Sequence, residues 1–227
     1  VQVLPGMAFV LVYFLVLVQL IMFLILSSSK DTYITDKIVD NKFRTTDANV
    51  GKAGTLDLFK LHNESTLSGV DNPIEISRLL LKFDYEKINE LTSSICDITH
   101  PSFNCKLILK DINAGQTAPK NFNLILHPLA QAFDEGGGRD ITSFTDLDAC
   151  NFLTASYSNA ADNVWNLSGA RKEGLLGSND IDIVTSGNLG AGVVNLFKTQ
   201  NFEIGDEDLN MDITNIVSAS ISGLIPN

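Results

Sequence analysis

From Lys30 to the last residue, apolar side chains come in short runs of strand length. Each run is closed by a cluster of Gly, Asn, Asp or Pro, and helical spacing is scarce. That punctuation points to an antiparallel sandwich or barrel, because strands of this length need a turn after each run. The clearest strands are Lys30–Ile38, Thr55–Leu61, Ile76–Phe83, Cys105–Lys110 and Asn121–Leu129. Asp180–Thr185, Val193–Thr199 and Leu209–Ile213 follow later. In Asn121–Leu129, Phe122, Leu124 and Leu126 fall on one face, so that strand should lay one apolar side over a core.

Two stretches read as helices. Asp84–Thr92 is a short excursion between strands, and Thr214–Gly223 puts Ile213, Ile216, Val217, Ser220, Ile221 and Leu224 near one stripe. Thr214 is placed to cap the second, with Asp212 supporting its start, and Gly223 is placed to end it. Gly136–Tyr157 and Asn159–Asn179 read as long loops, where binding usually resides on a β scaffold.

Ahead of this domain stands a different composition. Residues 1–29 carry no charge, and Ala8–Leu26 is apolar except for Gln19. Its length suits a bilayer-crossing helix. A secretory signal would want basic residues before it and an anchor would want them beside it, and only Lys30 is close. Three readings stay open: an export signal, a membrane anchor, or an extension foreign to the domain. Residues 1–29 and 30–227 are therefore taken as separate units.

All 16 Lys and Arg and all 27 Asp and Glu lie in the second unit, whose net charge is −11. Such a balance argues against a nucleic-acid or anionic membrane partner, since phosphate recognition needs a basic face. Cys96, Cys105 and Cys150 are an odd, scattered set with no CxxC pair, which disfavours a disulfide framework or a cysteine zinc site. Whether Cys96 and Cys105 pair is left open by spacing alone.

Several landmarks then occur in a set order: KDTYI at Lys30–Ile34, ANVGKAGTLDL at Ala48–Leu58, SRLLLKFD at Ser77–Asp84, LAQAFDEGGGRD at Leu129–Asp140, VWNLSGA at Val164–Ala170 and DLNMDITNIVSASISG at Asp208–Gly223. In this the chain resembles the jelly-roll β-sandwich modules often called DNRLRE domains, and most closely those in structural proteins of marine bacteriophages. Phe133 stands where the FDEG turn of such modules often has tryptophan. The resemblance implies a jelly roll with one or two short helices that continues past Asn227, so that the chain is expected to be C-terminally truncated. It implies either a virion structural part or a carbohydrate-binding, surface-displayed module.

The candidate sites are few. Asp134 and Glu135 before Gly136, Gly137 and Gly138, and Asp206 and Asp208 in the Gly205–Asp208 turn, are candidates for calcium, a hard cation that takes oxygen ligands. The first stretch lacks the alternating acids of an EF-hand loop and also reads as a turn whose acids bond nearby amides or Arg139; the second also reads as a solvated turn before a strand. Tyr157 and Trp165 are candidates for stacking on a sugar or anchoring a partner, while the only tryptophan also reads as a core plug. His62, His100 and His127 lack metal-ligand spacing, no serine sits in a nucleophile elbow, and no catalytic constellation is legible. Asn63-Glu-Ser and Asn166-Leu-Ser fit the glycosylation pattern.

These readings lead to two expectations. One is a non-enzymatic virion component that contacts other virion proteins or copies of itself. The other is an extracellular or cell-surface module that binds a glycan, with membrane contact only if residues 1–29 are native. No cofactor is expected beyond the calcium candidates.

Overall fold

The computed structural model describes residues 23–92, 97–112, 118–143, 145, 147–158, 161–190 and 192–225. Most of the apolar run lies outside these residues, as does Cys96. Phe23 and Ile25, at its described end, are 88% and 92% exposed and precede the first strand. No helix among the described residues is long and apolar enough to cross a membrane.

The domain is mainly β, a sandwich-like stack of small and mostly antiparallel sheets with two short helices. After β1 (Ser28–Thr35), β2 (Ile38–Val39) and β3 (Phe43–Arg44) form a two-residue antiparallel ribbon, and the first sheet places β5 (Ile74–Phe83) between β1 and β4 (Lys60–His62). Successive residues of β5 serve opposite sides. Leu80 joins a core with Ile34, Phe133, Cys150, Ala155, Trp165 and Ala170, whereas Leu81 and Phe83 pack on Leu107, Phe202, Leu209 and Met211. Leu79, Leu80 and Leu81 are apolar in succession, without alternation, because both faces of the strand are covered.

Two ribbons cover the second side. β6 (Lys106–Leu109) pairs with β14 (Leu209–Asp212), and β7 (Phe122–Leu126) pairs with β13 (Lys198–Phe202). The expected inner face of β7 is observed, with Phe122 stacked on Phe202 at 5.0 Å between ring centres. A third core gathers Ile181, Val184, Leu196, Ala219 and Ile225. There β11 (Ile183–Asn188) lies between β10 (Glu173–Leu175) and β12 (Val193–Asn195). β10 and β11 run parallel, an exception to the antiparallel expectation.

The short helices are α1 (Glu86–Thr92), started by Asp84 Oδ1 accepting the Glu86 N–H at 3.0 Å, and α2 (Thr214–Ile221). The side chain at the start of α2 is that of Asp212, whose Oδ1 accepts the Thr214 N–H at 2.9 Å; Thr214 does not cap the helix. The Thr214 hydroxyl instead accepts the Cys105 N–H. Gly223 ends the helix with φ +72, and the turn lets Ile225 be buried where Leu224 was expected, leaving Leu224 exposed.

Other departures have local causes. Only Lys60 and Leu61 of the expected Thr55–Leu61 strand are in β4, which runs on to His62; residues 51–55 form the turn that docks at the glycine loop. Val193–Thr199 splits into β12 and β13 around the fully buried Leu196. The two expected loops contain a hairpin, β8 (Thr154–Ser158) and β9 (Ala161–Val164), as well as β10. TASYS alternates only through the small Ala155 and the single ring of Tyr157, and ADNV does not alternate, so the two run as mostly polar sequence and their pairing is what reveals them.

Candidate functional site

The glycine loop after β7 is built around a side chain from another part of the chain. Asn49 is fully buried. Its Nδ2 donates to the carbonyls of Glu135 and Cys150 at 2.9 and 2.8 Å, and its Oδ1 accepts the N–H groups of Gly138 and Gly51 at 2.7 and 3.3 Å. Every hydrogen-bonding position of the amide is thereby used. The Lys52 N–H adds a main-chain bond to the Gly138 carbonyl at 2.7 Å.

Glycine is required here because the two backbones touch. A Cβ on Gly51 would lie 1.8 Å from the Glu135 carbonyl oxygen, and one on Gly138 would lie 1.8 Å from that of Asn49. Gly136 has φ +77 and faces the Asn49 amide.

The acids of this loop act as fasteners. Asp134 accepts Lys30 Nζ at 3.2 Å on Oδ1 and the Tyr157 N–H at 3.4 Å on Oδ2. Glu135 Oε1 accepts the Asp31 N–H at 3.0 Å, and Oε2 pairs with Lys52. Burial raises the Glu135 pKa, but the bonds from Lys52 and Asp31 and the Lys52 and Lys30 charges outweigh it and hold the carboxyl below its ordinary value. The cationic partners are Lys30 and Lys52; Arg139 was the expected one. Asp140 closes the loop by accepting the Thr142 and Ser143 N–H groups at 2.9 and 2.7 Å.

The second acidic turn has the same character. Glu207, part of the expected acidic turn but not singled out as a ligand, accepts the N–H groups of Glu203, Ile204 and Gly205 at 2.7–2.9 Å. Asp208 pairs with Lys110 and accepts the Asp111 N–H at 3.1 Å. Among the described residues no group of three or more His, Cys, Asp and Glu is arranged to hold a metal ion, so Asp134, Glu135, Asp206 and Asp208 are not assembled into one.

The two aromatic candidates have different fates. Trp165 is 4% exposed, sits in the core beside Phe133, and donates its indole N–H to the Asn151 carbonyl at 2.9 Å. Its ring offers no surface for a ligand to stack on. Tyr157, on β8, is 41% exposed.

Asp182 was legible only as part of a strand, yet it organises the 166–172 loop. It is fully buried and receives the N–H groups of Asn166, Leu167 and Lys172 at 2.7, 3.0 and 2.9 Å, together with the Asn166 and Gln131 side-chain amides. The Asn166 side-chain amide of the glycosylation pattern thus donates to Asp182, although the residue itself is exposed. Cys150 is a buried thiol whose pKa burial pushes up, which makes it a poor nucleophile.

His127, just after β7, packs on Phe197 with ring centres 5.9 Å apart. Its Nδ1 is buried with no partner among the described residues. Burial lowers its pKa, with Arg78 acting the same way, while a backbone hydrogen bond at Val184 and the Glu173 charge oppose the shift.

One cleft is polar. It has a volume of about 430 Å³ and lies where β13 and β14 diverge, with Lys106, Lys198, Gln200, Asn210 and Asp212 among its walls. Compared with known protein families, curated proteins and solved structures, the chain matches none.

Asn49→Ala strands two buried N–H groups and two carbonyls, so it should lower unfolding free energy by roughly 3 kcal/mol or more, measured by urea denaturation. The folded state keeps His127 neutral, so its contribution is complete above the unfolded value near 6.5 and is lost as pH falls through the lower folded value. The urea midpoint should therefore drop on acidification below about pH 6.5, and His127→Gln should flatten that drop.

Proposed function

We propose that this protein is a non-enzymatic structural component of a virus particle, with a jelly-roll relationship to the phage modules that its landmarks resemble, and that it works through protein–protein contacts. The observation that supports this most is the use made of its chemically capable side chains. Asn49, Glu135, Asp182 and Glu207 each bind main-chain amides that hold turns in place. A scaffold whose polar groups are spent on fixing loops suits a part that must present a rigid surface to its neighbours.

The glycan-binding alternative relied on Trp165 or Tyr157 as a stacking platform. With Trp165 in the core, that reading keeps only Tyr157. The deciding experiment is quantitative mass spectrometry of purified particles of the virus that encodes the chain. The proposal expects the protein at a copy number matching a symmetry-related set of sites. Its absence from washed, intact particles would overturn the assignment, and glycan-array binding lost in Tyr157→Ala would favour the alternative.

A further inference from the structure

β13 and β14 follow one another through the 203–208 turn but are not ladder partners; each pairs with a different strand. A single side chain bridges them. Gln200 Nε2 donates to the Asp208 carbonyl at 2.9 Å, and Gln200 Oε1 accepts the Asn210 N–H at 2.7 Å. A carboxamide has the donor and acceptor of a peptide group, so Gln200 satisfies one position on the edge of β14 as a neighbouring strand would.

The parity of β14 shows what lies beyond that position. The Ile213 N–H bonds to the Cys105 carbonyl at 2.9 Å, continuing the ladder in which Leu209 and Met211 turn their main-chain groups toward β6. By alternation, the main-chain groups of Asn210 and Asp212 point away from β6. The Asn210 carbonyl and Asp212 N–H therefore carry this edge onward along the cleft between the strands.

The charges at the cleft select among extended chains. Lys106 and Lys198 stand on its walls, and neither forms an ion pair within 4.0 Å among the described residues. Asp212 stands with them; the bonds from Thr214, and then the Lys198 and Lys106 charges, hold its carboxyl below its ordinary value, so it offsets one of the two ammonium charges and leaves the cleft walls net positive. No aromatic ring lines the cleft to stack on a sugar.

We propose that this cleft receives an extended acidic peptide, which adds to the edge of β14 beyond Gln200 and places a carboxylate near Lys106 and Lys198. Main-chain bonds to Asn210 and Asp212 supply the attachment, and the two ammonium groups supply the preference. The choice of a peptide as occupant rests on the protein-contact reading above. The binding assay is independent of where the protein resides, so either idea can fail without the other.

The test uses the full chain and fluorescein-labelled peptides about six residues long, a typical strand length. One peptide alternates Asp and Val, one is its fully N-methylated form, and one alternates Lys and Val. Fluorescence anisotropy should show saturable binding of the first. N-methylation, or the double variant Lys106→Glu with Lys198→Glu, should weaken it by about tenfold or more, and the Lys peptide should not bind. Amide exchange at Asp212 should slow on binding of the first peptide. The proposal is overturned if the acidic peptide does not bind, if the N-methylated form binds equally well, or if a dextran oligosaccharide occupies the cleft in its place.

Discussion

The four hydrogen bonds of the Asn49 amide join segments that lie far apart in the chain: the turn at residues 49–52, the glycine loop at 135–138 and the segment at Cys150. These segments lack a regular ladder to satisfy their main-chain groups, yet they pass close to the Phe133–Trp165 core. A buried N–H or carbonyl without a partner would cost a large part of a domain's net stability. The amide solves this locally, and the three glycines around it follow, because only residues without a Cβ allow the backbones to come so close.

The same device recurs where the chain is least regular. Asp182 collects the amides of the 166–172 loop, Glu207 those of the 203–205 turn, and Glu75 Oε2 the Ile38 N–H at 2.7 Å. A β domain built from small sheets has many loop amides and few ladders to absorb them. Carboxylates and carboxamides that would elsewhere be read as ligands or catalysts are used to hold the backbone.

How much of this was legible depended on periodicity. The strands β1, β5, β6, β7 and β14 were visible because their apolar alternation or apolar runs report burial directly, and Gly223 marked the end of α2 correctly. The β8–β9 hairpin was hidden because TASYS alternates with only Ala155 and Tyr157 as apolar side chains and ADNV does not alternate at all. The glycine loop was legible as a turn, and its acids as fasteners. The residue at its centre was not, since an Asn in ANVGK looks like any turn residue until a segment from the far side of the fold meets it. Asp182 was hidden for the same reason: spacing along a strand says nothing of a loop that folds back over it. The Tyr157–Trp165 pair failed as a joint platform because proximity in sequence does not decide which ring the core claims.

The most direct test of Asn49 as the central fastener is native-state hydrogen exchange at the Gly51 and Gly138 amides, which donate to its side chain. Both should exchange only through global unfolding, as slowly as the paired amides of β5, although neither lies in a strand. If instead they exchange at the rate of exposed loop amides while β5 stays protected, the loops are not held by Asn49 and the account of the fold is wrong.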